Sequence, residues 1–198
     1  TRMKSKNSKL VQKIYGKEIV KRAVENAEKA GVKDIVAVVG YKKEEVMKVL
    51  GDNIKYAFQD EMLGTGHAVM QAKEYLKGKK GKVLVLNGDV PLIRPETLNK
   101  LIEKSIENKE YATLLTAIYD DPTGYGRIVR DEGGNIEGIV EEKDTTEEQK
   151  KITEINAGIY CFDIEALLEA LEKITPNNKQ GEYYITDVIQ IMNNSCLL

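Results

Sequence analysis

The stretch from Val83 to Leu92, VLVLNGDVPL, constrains this chain more than any other part of it. An unbroken apolar run that meets turn residues suits a strand buried on both faces of a parallel sheet. The chain then turns at Gly88 and leaves Asp89 at the strand's carboxyl end. In open α/β sheets ligands bind along that edge. A carboxylate there is placed to hold a divalent metal together with a phosphate-bearing substrate. A turn former, or the cap of the following helix, explains Asp89 equally well from this stretch alone.

The surrounding pattern supplies the helices such a sheet needs. Ile19, Val20, Ala23, Val24, Ala27 and Ala30 form one helical stripe that stops at Gly31. Asp34 to Val39 reads as a second buried strand, Lys43 to Leu50 as a short helix, and Ile54 to Gln59 as a strand nearer the edge. Strand, helix and strand at short intervals predict right-handed crossovers and a parallel sheet. With 198 residues the chain can bury a real core, as one α/β domain or one with a small appendage.

Charge narrows the function classes. The formal net charge is −2, so nucleic acid meets no global basic field and an anionic ligand must be held by local cations. One such source is Thr1 to Lys17, which carries Arg2, Lys4, Lys6, Lys9, Lys13 and Lys17 without an acid. Such a run is commonly a solvated tail, and otherwise a phosphate-binding segment. No apolar run approaches the roughly 20 residues that span a bilayer, and no signal peptide is visible. Cys161 and Cys196 make no disulfide framework and read as reduced thiols of a cytoplasmic protein.

Gly64-Thr65-Gly66 precedes another helical pattern. Glycines there let backbone N–H groups approach a ligand, and Thr65 can cap. His67, the single histidine, falls in the first helical turn as a packing or capping residue. Beyond the central strand come a helix from Pro95 and a strand from Ala112 to Ile118. A hairpin follows, Arg127 to Arg130 and Asn135 to Val140, and then a charged, solvated helix from Thr145 to Lys151. Glu154 to Phe162 is another strand, and Ile164 to Ile174 and Ile185 to Met192 are helices.

In order, TRMKSK, QDEMLGTGHA, LNGDVPLI, DDPTGYGRI, VEEKD, EINAGIYCF and NNKQGEYYITDVI run across most of the chain. Together they closely resemble the uridylyltransferase domain of the bacterial bifunctional N-acetylglucosamine-1-phosphate uridylyltransferase/glucosamine-1-phosphate acetyltransferase. The resemblance implies an α/β, Rossmann-like nucleotidyltransferase fold: a mostly parallel mixed sheet flanked by helices. A small β lobe at about residues 119–160 would bind the sugar. It implies formation of UDP-N-acetylglucosamine, a precursor of peptidoglycan and lipopolysaccharide, and of pyrophosphate. The substrates would be UTP and N-acetylglucosamine 1-phosphate, with Mg²⁺. On the matching positions, Arg2 and Lys9 would contact phosphates, and Gln59, Gly64 and Thr65 would read uracil. Asp89 would hold Mg²⁺, and Gly126, Glu141 and Asn156 would hold the sugar and ribose.

These residue types suit the chemistry. A sugar-phosphate oxygen attacks the α-phosphorus of UTP and pyrophosphate leaves, so positioning and charge neutralisation carry the reaction. No protein nucleophile is required. A glutamine amide offers the donor and acceptor that uracil needs, while Asn156 and Glu141 suit hydroxyl groups.

The chain departs from the family pattern in ways that bear on function. The family places a strand and a glycine-rich loop just before Thr-Arg-Met. Their absence is expected to leave neighbouring strands with unpaired edges. A second Mg²⁺ ligand, an asparagine, and a left-handed β-helix through which the longer parent would form a homotrimer would follow Leu198. Ser8 stands where a proline usually precedes the lysine, and Asn87 where an aromatic often precedes Gly-Asp. The chain is therefore expected to be an incomplete nucleotidyltransferase domain over 1–198. Alternatives are an inactive sugar-nucleotide-binding module, or a related transferase for another sugar phosphate or base. No nucleic acid or membrane partner is expected.

Overall fold

A computed structural model describes residues 7–194 of the chain. The first element described is a single tight turn, Lys9–Val11, capped by Ser8, whose Oγ accepts from the Leu10 N–H. A small antiparallel ladder, β1 (Lys13–Ile14) with β2 (Lys17–Glu18), leads into α1 (Ile19–Lys29). Helix α1 buries the stripe Ile19, Val20, Ala23 and Ala27, four positions that 3.6-residue periodicity places on one face. Strand β3 (Val36–Val39), α2 (Lys43–Leu50) and β4 (Lys55–Phe58) follow as a right-sized crossover unit. β3 and β4 pair in parallel.

Two short helices, α3 (Thr65–Gln71) and α4 (Lys73–Leu76), precede β5 (Lys82–Leu86). After α5 (Pro95–Glu107) and β6 (Ala112–Ile118) come the hairpin strands β7 (Arg127–Arg130) and β8 (Ile136–Val140). The chain then runs through β9 (Glu154–Asp163), α6 (Ile164–Leu171) and α7 (Asp187–Asn194). Proline in the first turn of α5 needs no N–H partner there. Asp163 caps α6 by accepting from the N–H groups of Glu165 and Ala166.

The sheets are mixed and flanked by helices, but parallel pairing is less common than the sequence pattern suggests. Among the described residues the parallel ladder is β3–β4. β9 pairs antiparallel with β5 on one side and with β6 on the other. β5 and β6 therefore run in the same direction, as a strand–helix–strand crossover requires, with β9 inserted between them in the opposite sense. A strand that arrives some forty residues later in sequence leaves no trace in local periodicity, so the insertion is a tertiary event.

The largest core lies beneath the antiparallel sheet, where Phe162 and Leu167 of β9 and α6 meet Val188 and Met192 of α7. A second cluster joins Leu98 and Leu101 of α5 to Ile159 and Cys161 of β9. A third, smaller one links Val20, Val39 and Val46. Between β3 and β5 a cavity of about 780 Å³ opens, lined by Val36 to Val39 on one side and Val83 to Leu86 on the other. Every residue of β5 is consequently only partly buried, where burial on both faces was expected. The stretch from Thr145 to Lys151 is also different from expectation. It holds a single-turn helix at Gln149–Lys151, and Thr145 is buried with its hydroxyl donating to Glu142 O at 2.7 Å. A short polar side chain that finds a nearby carbonyl competes with regular helix.

Candidate functional site

The cavity runs from the β3–β5 gap to the base of the hairpin, and Thr65, Asp89, Gly126, Glu141 and Asn156 all line it. Asp89 follows the carboxyl end of β5 with its side chain 40% exposed, and Lys9 Nζ lies 2.7 Å from its Oδ2. The turn that carries Lys9 is pinned at Ser8, whose N–H donates to Glu45 Oε2 at 2.7 Å. A proline at that position has no N–H to give, so serine here anchors the cation's turn to α2 instead. Arg2, the other cation assigned to phosphates, lies outside the described residues, as does Cys196.

The opposite end is built from a buried glycine and two partly buried polar groups. Gly126 is packed so closely that an added methyl would lie 3.2 Å from Ile139 Cγ2, 3.4 Å from Glu141 Oε2 and 3.6 Å from Asn156 Cβ. The Asn156 N–H donates to Gly126 O at 2.9 Å. Its side chain donates to the Tyr160 hydroxyl at 2.6 Å and accepts from the Gly158 N–H at 3.0 Å. Glu141 Oε1 accepts from the Thr186 hydroxyl at 3.1 Å. Sequence motifs three segments apart thus meet within one wall.

Carboxylates gather around that wall. Burial raises the Glu141 carboxyl above its usual range; Thr186 opposes this, and the charges of Asp144 and Glu182 add to it. Asp187, in the first turn of α7, is pushed up to about 6 by burial and then by Glu141 and Asp144. Negative potential at this end favours hydroxyl groups, which can donate, and disfavours a phosphate. At the other end Lys9, paired with Asp89, holds a positive charge that a phosphate can draw away from its partner. A ligand with hydroxyls at one end and phosphate at the other is thereby given a direction in the cavity.

Gln59 and Gly64 stand behind Thr65 and are not among the cavity-lining residues. Gln59 is buried, and its amide donates to Gly64 O at 3.0 Å. The glycines of Gly-Thr-Gly have a packing cause. Gly64 has φ +109°, and a methyl on it would fall 2.6 Å from Tyr183 O. The Gly66 N–H donates to that same carbonyl at 2.7 Å. Thr65 does not cap α3; its hydroxyl accepts from the Ile185 N–H at 3.1 Å. The loop is clamped against residues 183–185, a contact across about 120 residues of sequence.

Two contributors were not singled out from sequence. Thr186, 1% exposed, orients Glu141. Arg127, also 1% exposed, donates to Tyr125 O and pairs with Glu142 Oε2 at 2.8 Å. Glu142 in turn accepts from the Gly124 N–H at 3.1 Å. Arginine directly after Gly-Tyr-Gly was the available signal for this buried strut. Asn87 sits beside Gly158, where an added methyl would lie 2.7 Å from its Nδ2. Cys161 is fully buried and its thiol is pushed up by burial, which makes it an inert core residue.

Among the described residues no group of three or more His, Cys, Asp or Glu side chains is placed to hold a metal by itself. A lone, exposed carboxylate fits a magnesium ion, which keeps most of its waters and binds through one or two carboxylates plus phosphate oxygens.

Comparison with known proteins is consistent with this geometry. The bifunctional protein GlmU of Caldanaerobacter subterraneus subsp. tengcongensis is 54% identical over 193 residues, covering 98% of this chain and 42% of that protein. The protein of the same name from a Geobacillus species is 50% identical over 195 residues, with coverage of 98% and 42%. The chain thus spans less than half the length of these curated relatives. In fold it is similar to a UDP-glucose pyrophosphorylase solved with UDP-glucose. The TM-score is 0.74 at 21% identity, over 94% of this chain and 79% of that one. Residues 3–196 match the family described as nucleotidyl transferase, and with that match spanning nearly its whole length, the chain belongs to the nucleotidyl transferase family.

Proposed function

We propose that this chain is the uridylyltransferase part of a longer enzyme and joins UTP to N-acetylglucosamine 1-phosphate, releasing pyrophosphate and forming UDP-N-acetylglucosamine. One observation carries the reading: a single cavity is lined at one end by Asp89, which pairs with Lys9, and at the other by a partly buried glycine–glutamate–asparagine wall. The first suits phosphates and the second suits sugar hydroxyls. The segment at about 119–160 is, on this reading, the sugar-binding lobe.

In the mechanism that follows, Asn156 and Glu141 hold the sugar with its phosphate turned away from the Glu141 carboxylate. Gln59, Gly64 and Thr65 hold uracil, so that the α-phosphorus of UTP faces the sugar-phosphate oxygen. Lys9 neutralises phosphate charge as the new P–O bond forms and pyrophosphate departs on the opposite side. Asp89 would hold Mg²⁺, which supplies positive charge to the phosphate oxygens. Catalysis by placement and charge of this kind needs no protein nucleophile. The same reading places the protein in the cytoplasm; no helix among the described residues is long and apolar enough to cross a membrane.

A pyrophosphate-release assay with UTP, N-acetylglucosamine 1-phosphate and Mg²⁺ tests the proposal. Turnover well above that of Asp89→Ala supports it. Binding of UDP-N-acetylglucosamine without turnover would assign this chain to a binding role, and release with glucose 1-phosphate in preference would change the substrate.

A further inference from the structure

Gln59 and His67 are wired together in a way that fixes the state of both. The Gln59 side-chain atom 3.0 Å from Gly64 O has to be the amide nitrogen, because a peptide carbonyl only accepts. The same nitrogen lies 3.1 Å from Nδ1 of His67. It has two hydrogens, one for each neighbour, so Nδ1 is the accepting ring nitrogen. In a neutral imidazole the proton then sits on Nε2.

Nε2 lies 3.1 Å from the Gln71 amide nitrogen, which is also 3.1 Å from His67 O. Two amide nitrogens cannot both donate to one neutral ring, so one amide must turn over. Gln59 is 6% exposed and, turned over, would set its oxygen against the Gly64 carbonyl. Turned over in place, Gln71 would likewise set its oxygen against the His67 carbonyl, but it is partly exposed on α3, so its side chain can swing clear and water can replace the bond it gives up. Gln71 is therefore the one that turns, and His67 Nε2–H donates to its oxygen.

Both hydrogens of Gln59 are then committed, and Oε1 is the atom left to meet a ligand. We infer that His67, held as the Nε2–H tautomer, is a positioning residue for base selection: it locks the Gln59 amide so that its oxygen faces the pyrimidine and accepts from a ring N3–H. The inference rests on the assignment of Gln59 to base recognition in the proposed function. Uracil and thymine carry that N3–H. Cytosine presents a lone pair there, which would face the lone pairs of Oε1 and leave both unpaired. The device separates UTP from CTP and is blind to the difference between UTP and dTTP.

Because His67 is the only histidine in the chain, a ¹⁵N correlation spectrum shows a single imidazole. Recorded on the neutral ring, it is expected to show the proton on Nε2. A proton on Nδ1 overturns the inference. Equilibrium titrations with UTP and CTP supply the second arm. His67→Phe keeps the ring shape without an acceptor and is expected to cut the preference for UTP over CTP by roughly tenfold or more. Affinity for N-acetylglucosamine 1-phosphate should stay as it was. His67→Asn returns an acceptor near the Nδ1 position and should restore the preference. A folded His67→Phe chain with its preference intact overturns the inference. Equal affinity of the unaltered chain for UTP and CTP would remove the base reading itself, and the spectrum separates that failure from a wrong tautomer.

Discussion

The two ends of the cavity are made in opposite ways. The wall of Gly126, Glu141 and Asn156 is half-buried and internally bonded before any ligand arrives: Thr186 holds Glu141, and Tyr160 and Gly158 hold Asn156. The Lys9–Asp89 end rests on one ion pair whose side chains are 56% and 40% exposed. Exposed pairs of this kind contribute about 0–1 kcal/mol. The first end is rigid because the fold requires those bonds, and the second is free to exchange its partner for phosphate. The difference teaches where stability and reactivity separate in this molecule: substitutions at the buried end should unfold it, and those at the exposed end should silence it.

The sharpest way to break that contrast is Arg127→Met. It leaves Glu142 and the Tyr125 carbonyl without the buried guanidinium that joins them and is expected to cost about 3 kcal/mol, read from urea unfolding. A loss below about 1 kcal/mol would place Arg127 outside the scaffold of this end. Asn156→Ala comes next, at about 1–3 kcal/mol, because the hydroxyl of Tyr160, 2% exposed, loses its partner. Weaker binding of N-acetylglucosamine 1-phosphate should accompany it, measured by calorimetry.

Asp187 sharpens the comparison through pH. Its folded value of about 6 stands above the ordinary 3.8. The fold therefore favours the neutral acid: the contribution is complete below the ordinary value and is lost as pH rises through about 6. Asp187→Asn is expected to raise the melting temperature more at pH 7 than at pH 5. Equal shifts at both would show that Asp187 keeps an ordinary carboxyl. The smallest stability effect belongs to Lys9→Ala, below about 1 kcal/mol, although pyrophosphate release should fall steeply. A large loss of stability there would erase the distinction between the two ends.

How much of this was legible beforehand depends on the range of the interaction involved. The strand that leads to Asp89, the helix opening at Pro95 and the hairpin from Arg127 to Val140 could be read directly, because apolar spacing, proline and paired glycines act within a few residues. The members of the candidate site were legible through their motifs. Their roles still await the tests described above. What Gly64 does was not legible: its conformation answers to Tyr183, far away in sequence. Thr186 escaped notice because nothing local marks a threonine whose partner lies 45 residues upstream.

By itself, the sequence determined the order and kind of most of the elements and the family to which the chain belongs, since both depend on short-range periodicity and on runs of matching residues. Only the tertiary structure decided that β9 runs between β5 and β6, and that the Gly-Thr-Gly loop is clamped to residues 183–185. It also decided that the cavity has an acidic, hydrogen-bonded end and one that carries the Lys9–Asp89 ion pair. The physical reason is common to all three. Strand partners, close backbone contacts and shifted carboxyls are set by what lies within a few ångströms in space, and chain order does not encode that distance.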